Sequence, residues 1–286
     1  MSIMSVDSHQ INPNPKPIII SNNSTSLKKK NKINKNNEVR YLQEKDIYKA
    51  ALTLKDAFSN DSLSKLLVCH IKDHYKRDYC ELLLYEAYIK QHLQKGIVLV
   101  QGENDINFET VSIWSHPKSE DEGLDSFFTL MQSGFDKVWE NFEEKGRNKI
   151  FSEDGMLTLL HDSCERIINN DLRFKNKPIY TLVYVGSTKQ AQGKGNLRKM
   201  FEFMFKNYID PNNALAYLES SSPNNIPIYE KFDFHFVEDI MLGENDFEGA
   251  IEGEDYAIMN VMIRGIKGQD WSKINVSKSN NNISKF

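Results

Sequence analysis

Residues 180–185, Tyr-Thr-Leu-Val-Tyr-Val, form a short β-rich run. Within ten residues the chain turns through Gly193 and Gly195 into a helical pattern that sets Leu197, Met200, Phe201 and Met204 on one face. A strand that runs through a glycine-bearing turn into a helix start aims several backbone N–H groups at one place, and the positive end of the helix dipole adds to them. The segment therefore implies a sheet strand feeding directly into a covering helix. It also implies a site for an anion such as the phosphate of a cofactor.

Two familiar phosphate loops are excluded by spacing. A P-loop needs Gly, four residues, then Gly-Lys and a hydroxyl residue. Here six residues separate Gly186 from Gly193, and Asn196 stands where the magnesium-binding hydroxyl is required. The dinucleotide fingerprint needs a third glycine three residues after the second, and Arg198 occupies that place after Gly195. Glu219, 24 residues beyond Gly195, does not repair the missing glycine. The plainer reading of Gly193-Lys194-Gly195 is a turn and nothing more.

A chain of 286 residues holds one large domain or two small ones. With 40% hydrophobic residues and 11% aromatics it can build a sizeable core. A net charge of −4 and a pI near 6.0 argue against nucleic acid as a bulk electrostatic partner. No run approaches the roughly 18 apolar residues of a membrane span. Ile18-Ile19-Ile20 is too short to be the apolar core of a signal peptide. Cys69, Cys80 and Cys164 lack metal-ligand spacing and read as structural thiols in a reducing compartment, by default the cytosol.

Residues 1–37 are rich in Asn, Ser, Pro and Lys and read as a disordered tail. Its Lys28-Lys29-Lys30-Asn31-Lys32 is either a solvating basic run or a nuclear import signal. Residues 266–286 read as a second flexible tail with Trp271 as its one large apolar anchor, leaving a single domain at 38–265. Within it the pattern predicts strands at 39–42, 97–101, 108–115, 180–185, 214–219, 234–242 and 255–263. Helices are predicted at 46–58 with Asp46 as cap, and at 62–75, 80–93, 124–144, 154–169, 195–208 and 223–232. Strands with interspersed helices imply an α+β domain on one central mixed sheet. The helices at 124–144 and 154–169 form an insertion between the third and fourth core strands.

The motif Gln190-x-x-Gly193-x-Gly195 fits the Gln/Arg-x-x-Gly-x-Gly/Ala signature of the GNAT-superfamily N-acetyltransferases. Downstream, Leu215-Ala216-Tyr217-Leu218-Glu219-Ser220-Ser221-Ser222-Pro223-Asn224-Asn225 and Tyr229-Glu230-Lys231-Phe232-Asp233-Phe234 resemble the fifth strand and fourth helix of that superfamily. They are especially similar to the branch of puromycin N-acetyltransferase and related fungal proteins. Val111-Ser112-Ile113-Trp114-Ser115-His116-Pro117 resembles the third strand of the branch, and Val39-Arg40-Tyr41-Leu42 with Asp46 its first strand and helix start. The likeness is collinear from Val39 to Arg264 and implies a mostly antiparallel central sheet flanked by helices. Two departures stand out. Asp233 replaces the usual glycine, and Gln192-Gly193-Lys194-Gly195 offers a second register in which Leu197 replaces the last Gly/Ala.

The resemblance implies an acetyl-CoA-dependent N-acetyltransferase acting by direct transfer to a primary amine, with a small molecule or a peptide as acceptor. It implies that Gln190, Ala191, Gln192, Gly193, Lys194 and Gly195 cradle the pyrophosphate of acetyl-CoA as co-substrate. It further implies that the Val185 N–H meets the thioester carbonyl and that Asn225 helps hold the pantetheine arm. Tyr229 matches the position of the leaving-group acid, and a phenol with a reference pKa near about 10 can serve a departing thiolate. The strand at 180–185 carries no carboxylate, so Glu219 at the end of the next strand is either the base, acting directly or through a water, or a structural carboxylate held by Ser220–Ser222 or backbone. Tyr184 is a candidate for substrate contact, Glu254-Asp255 a third option, and an amine arriving neutral needs no dedicated base. Trp114 and His116 are either pocket residues or an ordinary core tryptophan and surface histidine. Glu120-Asp121-Glu122 is either a lure for a cationic amine or a solvated acidic surface. The missing carboxylate and Asp233 also leave open a non-catalytic acyl-CoA-binding or interaction module on the same fold.

Overall fold

The computed structural model describes residues 38–117, 126–151 and 155–274. The basic run 28–32, the acidic run 120–122 and the end of the C-terminal tail lie outside the described residues. Seven strands form one sheet in the order β1-β2-β3-β4-β5-β7-β6. They are β1 Arg40–Tyr41, β2 Ile97–Glu103, β3 Phe108–Ser115, β4 Ile179–Ser187, β5 Leu215–Ser220, β6 Phe234–Gly243 and β7 Tyr256–Arg264. Every neighbouring pair is antiparallel except β4 and β5. The fold is therefore mixed α+β, as the sequence pattern predicts, on a mostly antiparallel sheet, as the family resemblance implies.

Alternation along the strands splits the core between the two faces of the sheet. Val98, Val100, Val111, Ile113, Leu215 and Tyr217 join one buried cluster, which takes in the helices α1 Ile47–Ala57, α2 Ser62–Val68 and α3 His74–Lys95. Leu99, Leu182, Ala216 and Leu218 join the other, under the helices α8 Asn196–Met204 and α9 Ile226–Glu230. In α8 the predicted stripe is real: Met200, Phe201 and Met204 are buried, and the Phe201 ring meets Trp114 edge-on at 5.7 Å.

The insertion between β3 and β4 is helical, with a break where one long helix is expected at 124–144. Helix α4 Phe127–Leu130 passes through a wide turn at Met131–Phe135, where Gly134 has φ 104°, into α5 Asp136–Asn141. Two more helices follow, α6 Glu144–Phe151 and α7 Met156–Asn170. A left-handed residue cannot continue an α-helix, so the apolar period survives while the axis does not. Asp46 departs from its expected part as a cap: its side chain makes no capping bond and instead pairs with Arg40 at 3.1 Å. Asp61 and Asp73 are the caps in this region, accepting from Ser64 N–H and Lys76 N–H.

Residues 266–274, assigned to the tail by composition, carry two short 3-10 turns. Trp271 is buried there, donates from Nε1 to Ile263 O at 2.8 Å and packs edge-on against Phe174 at 5.0 Å. Among the described residues, no helix is long and apolar enough to cross a membrane.

Candidate active site

β4 and β5 run in register from Ile179↔Leu215 to Leu182↔Leu218 and then part. Each is held by its outer neighbour beyond that point: β4 stays on β3 as far as Thr110↔Ser187, and β5 stays on β7 as far as Ser220↔Asn260. A bulge at Val183, between the pairs Ile113↔Tyr184 and Trp114↔Leu182, turns β4 away at the same place. The result is a cleft between two strands of one sheet. Its walls include Phe58, Asp61, Tyr184, Val185, Glu219, Asn225 and Tyr229.

Glu219 and Tyr229 meet this cleft from opposite faces. Glu219 shares the face of Tyr217, which belongs to the cluster under α1, α2 and α3. Tyr229 belongs to the cluster under α8 and α9, where its ring rests edge-on against Phe201 at 6.2 Å. Burial pushes the Glu219 carboxyl up to about 7, against the pull of the Tyr217 hydroxyl, which donates to Oε1 at 2.7 Å. Burial also pushes the Tyr229 phenol up to about 12, and the nearby Asp61 carboxylate adds to the shift. Among the described residues, the Tyr229 hydroxyl makes no hydrogen bond. A carboxyl poised near neutrality and a phenol that keeps its proton form an acid–base pair suited to proton transfer at physiological pH.

The loop beyond β4 begins with a 3-10 turn, Lys189–Ala191, so Gln190 lies inside the turn while Gln192 is extended and leads into Gly193. The Ala191 N–H donates to Thr188 O and the Lys194 N–H to Ala191 O. The N–H groups of Gln192, Gly193 and Gly195 make no hydrogen bond within the turn. Gly193 and Gly195 both have φ 78°, and nothing lies within 4 Å of where a Cβ would stand on either. Gly195 is the residue before α8, so these N–H groups gather at a helix N-terminus. A bare backbone concavity of this kind suits a phosphate group.

Glu109 on β3 ties the loop down, a role not foreseen from sequence. It accepts from Lys194 Nζ at 2.6 Å and from Asn196 Nδ2 at 2.9 Å, and both donors hold its carboxyl below the usual range. Asn196 is buried and accepts from Gln101 Nε2 at 3.1 Å, which anchors the start of α8 to β2. The Lys194 side chain is thus engaged with a carboxylate.

The other candidates divide. Asn225 closes a 3-10 turn at Pro223–Asn225 on the cleft wall, and Val185 and Tyr184 lie on the β4 side. Trp114 is a core residue, and His116 lies edge-on to Tyr180 at 5.4 Å, away from the cleft. Glu254 and Asp255 are also outside it; Asp255 accepts from Ile251 N–H in its own loop. Asp233 has φ 65°, the left-handed geometry for which glycine is usual. Asp61 and Tyr217 were not singled out from sequence. Asp61 carried a signal as the residue ahead of the Ser62 helix, and its carboxylate accepts from Ser221 Oγ across the cleft mouth. Cys164 on α7 stands against the Tyr217 hydroxyl, which brings the insertion next to the site.

No protein-family model matches the chain. An uncharacterized N-acetyltransferase of Schizosaccharomyces pombe is 31% identical to it over 211 residues, which cover 74% of this chain and 79% of the relative. Among solved structures, a histone acetyltransferase HPA2 and related acetyltransferase of Corynebacterium glutamicum aligns with TM-score 0.49 at 16% identity, covering 80% of this chain and 96% of its own. Arylalkylamine N-acetyltransferase 2 of Aedes aegypti aligns with TM-score 0.49 at 11% identity, covering 80% and 98%. The family assignment rests on the S. pombe relative: the chain belongs to the N-acetyltransferases and is an acyltransferase enzyme.

Proposed function

We propose that the chain moves an acetyl group from acetyl-CoA to a primary amine by direct transfer within a ternary complex. One observation carries this reading: a carboxyl poised near neutrality and a protonated phenol reach the same cleft from opposite faces of the sheet, beside a bare-backbone anion loop. In this reading Gln192 is the first residue of the cofactor signature, and the N–H groups of Gln192, Gly193 and Gly195 face the pyrophosphate. Asn225 holds the pantetheine arm and the Val185 N–H meets the thioester carbonyl, as the branch-level likeness of 215–234 implies. Acetyl-CoA supplies the activated acyl carbon.

The chain's own residues then move two protons. The Glu219 carboxylate takes a proton from the attacking amine nitrogen as the C–N bond forms. Tyr229 donates to the sulfur as the C–S bond breaks; a thiolate developing in the same buried cleft is itself made more basic by desolvation. Asp61 and Glu219 place two carboxyls on the cleft, which suits an acceptor that approaches as an ammonium cation and gives one proton to water before the neutral amine attacks, whether a small amine or a peptide amine. Purified protein with acetyl-CoA and a panel of polyamines, aryl amines, amino-acid amides and peptides tests the reading through thiol release. Absence of thiol release with every acceptor, together with absence of acetyl-CoA binding by calorimetry, overturns it.

A further inference from the structure

Tyr217 stands two residues before Glu219 on β5, so both side chains leave the same face of the sheet. Its ring is 1% exposed in the core under α1, α2 and α3. A phenylalanine would fill that space without the cost of burying a phenol. The hydroxyl is not idle: it donates to Glu219 Oε1 at 2.7 Å and also meets the Cys164 thiol on α7. A buried hydroxyl whose partner is a carboxyl on the cleft wall fixes where that carboxyl points.

We propose that Tyr217 is a positioning residue for acetyl transfer. Its hydroxyl holds the Glu219 carboxyl towards the cleft and favours the carboxylate form, and through Cys164 it ties that arrangement to the seat of the insertion helix α7. The proposal rests on the reading of Glu219 as the base.

The surroundings of Glu219 leave this task to Tyr217. Tyr184 faces the cleft from β4, Tyr229 from α9 and Asp61 from the head of α2, and none of these is a cation. Arg166 on α7 is near Tyr217 but is paired with Glu238 on β6. Among the described residues, the Tyr217 hydrogen bond is what opposes the effect of burial on Glu219. Tyr217 remains a donor throughout, because burial and the adjacent Glu219 raise its own phenol far above the ordinary value. The Arg166–Glu238 pair ties α7 to β6, which seats the Cys164 thiol beside the Tyr217 hydroxyl.

The test is a titration of the Glu219 carboxyl by 13C NMR on full-length protein labelled at the glutamate carboxyls, with the signal assigned by its loss in Glu219→Gln. Tyr217→Phe is expected to bind that proton about tenfold more tightly than wild type. Its kcat/KM at pH 7 is expected to fall about tenfold, with the deficit narrowing at pH 9 and KM for acetyl-CoA unchanged. Cys164→Ala leaves the Tyr217–Glu219 bond in place and is expected to keep the wild-type titration. An unchanged Glu219 titration in Tyr217→Phe, or an equal shift in Cys164→Ala, overturns the proposal. Turnover by Glu219→Gln reports separately on the base: full activity there sinks the base reading, while the titration still judges Tyr217.

Discussion

Glu219 and Tyr229 are ten positions apart in the chain and on opposite faces of one sheet, yet they share a cleft. Their shifts run in the same direction with different consequences. A carboxyl raised to about 7 is an acid below neutrality and a base above it, so kcat/KM is expected to climb tenfold per pH unit up to about pH 7 and then level off. Glu219→Gln removes that rise and lowers kcat/KM at pH 8 by about a hundredfold. The same shift acts on stability. The fold favours the protonated carboxyl, so its contribution is complete below the ordinary value of 4.5 and is lost as pH rises through about 7. Thermal melts of Glu219→Gln between pH 4 and pH 8 should therefore vary less than those of wild type. Tyr229 at about 12 stays protonated across the working range, and Tyr229→Phe is expected to lower kcat about a hundredfold while acetyl-CoA still binds in calorimetry.

At the scale of the element, the loop between β4 and α8 depends on a residue from another strand. Glu109 pins Lys194 and Asn196, so Glu109→Gln is expected to loosen the loop by about 1 kcal/mol and raise KM for acetyl-CoA roughly fivefold, with kcat unchanged. Initial-rate kinetics over acetyl-CoA concentration checks this. The loop's glycines and the stripe on α8 are readable in the sequence because both are local. The strands at 234–242 and 255–263 are readable to within one residue, since each is a local run of apolar and β-branched residues bounded by turn residues. Glu109 and Asn196 are not readable, because strand register decides which side chains meet; Tyr217 and Glu219 share a face of one strand, but the sequence does not say that the face is buried against Cys164. The registers starting at Gln190 and at Gln192 look alike in the sequence, because the 3-10 turn at Lys189–Ala191 that sets them apart is encoded by no hydrophobic period. The break at Gly134 escaped notice because the apolar spacing continues through it.

At the scale of the whole molecule, the segment 266–274 packs onto one face of the sheet. Trp271 bonds to Ile263 O on β7 and lies under the Arg173 guanidinium at 4.7 Å, so a polar stretch is tied to the core by one side chain. Trp271→Ala is expected to cost about 3 kcal/mol and to lower the melting temperature by several degrees, as followed by circular dichroism. The split between β4 and β5 has a consequence of another kind. In the proposed mechanism, with Glu219 and Tyr229 on opposite faces, each turnover would leave a surplus proton on Glu219 and a missing one on Tyr229. The strands bordering the split are packed, so the proton returns through water that enters once the product has gone. The proposed mechanism thus makes the emptying of the cleft the step that would restore both protonation states.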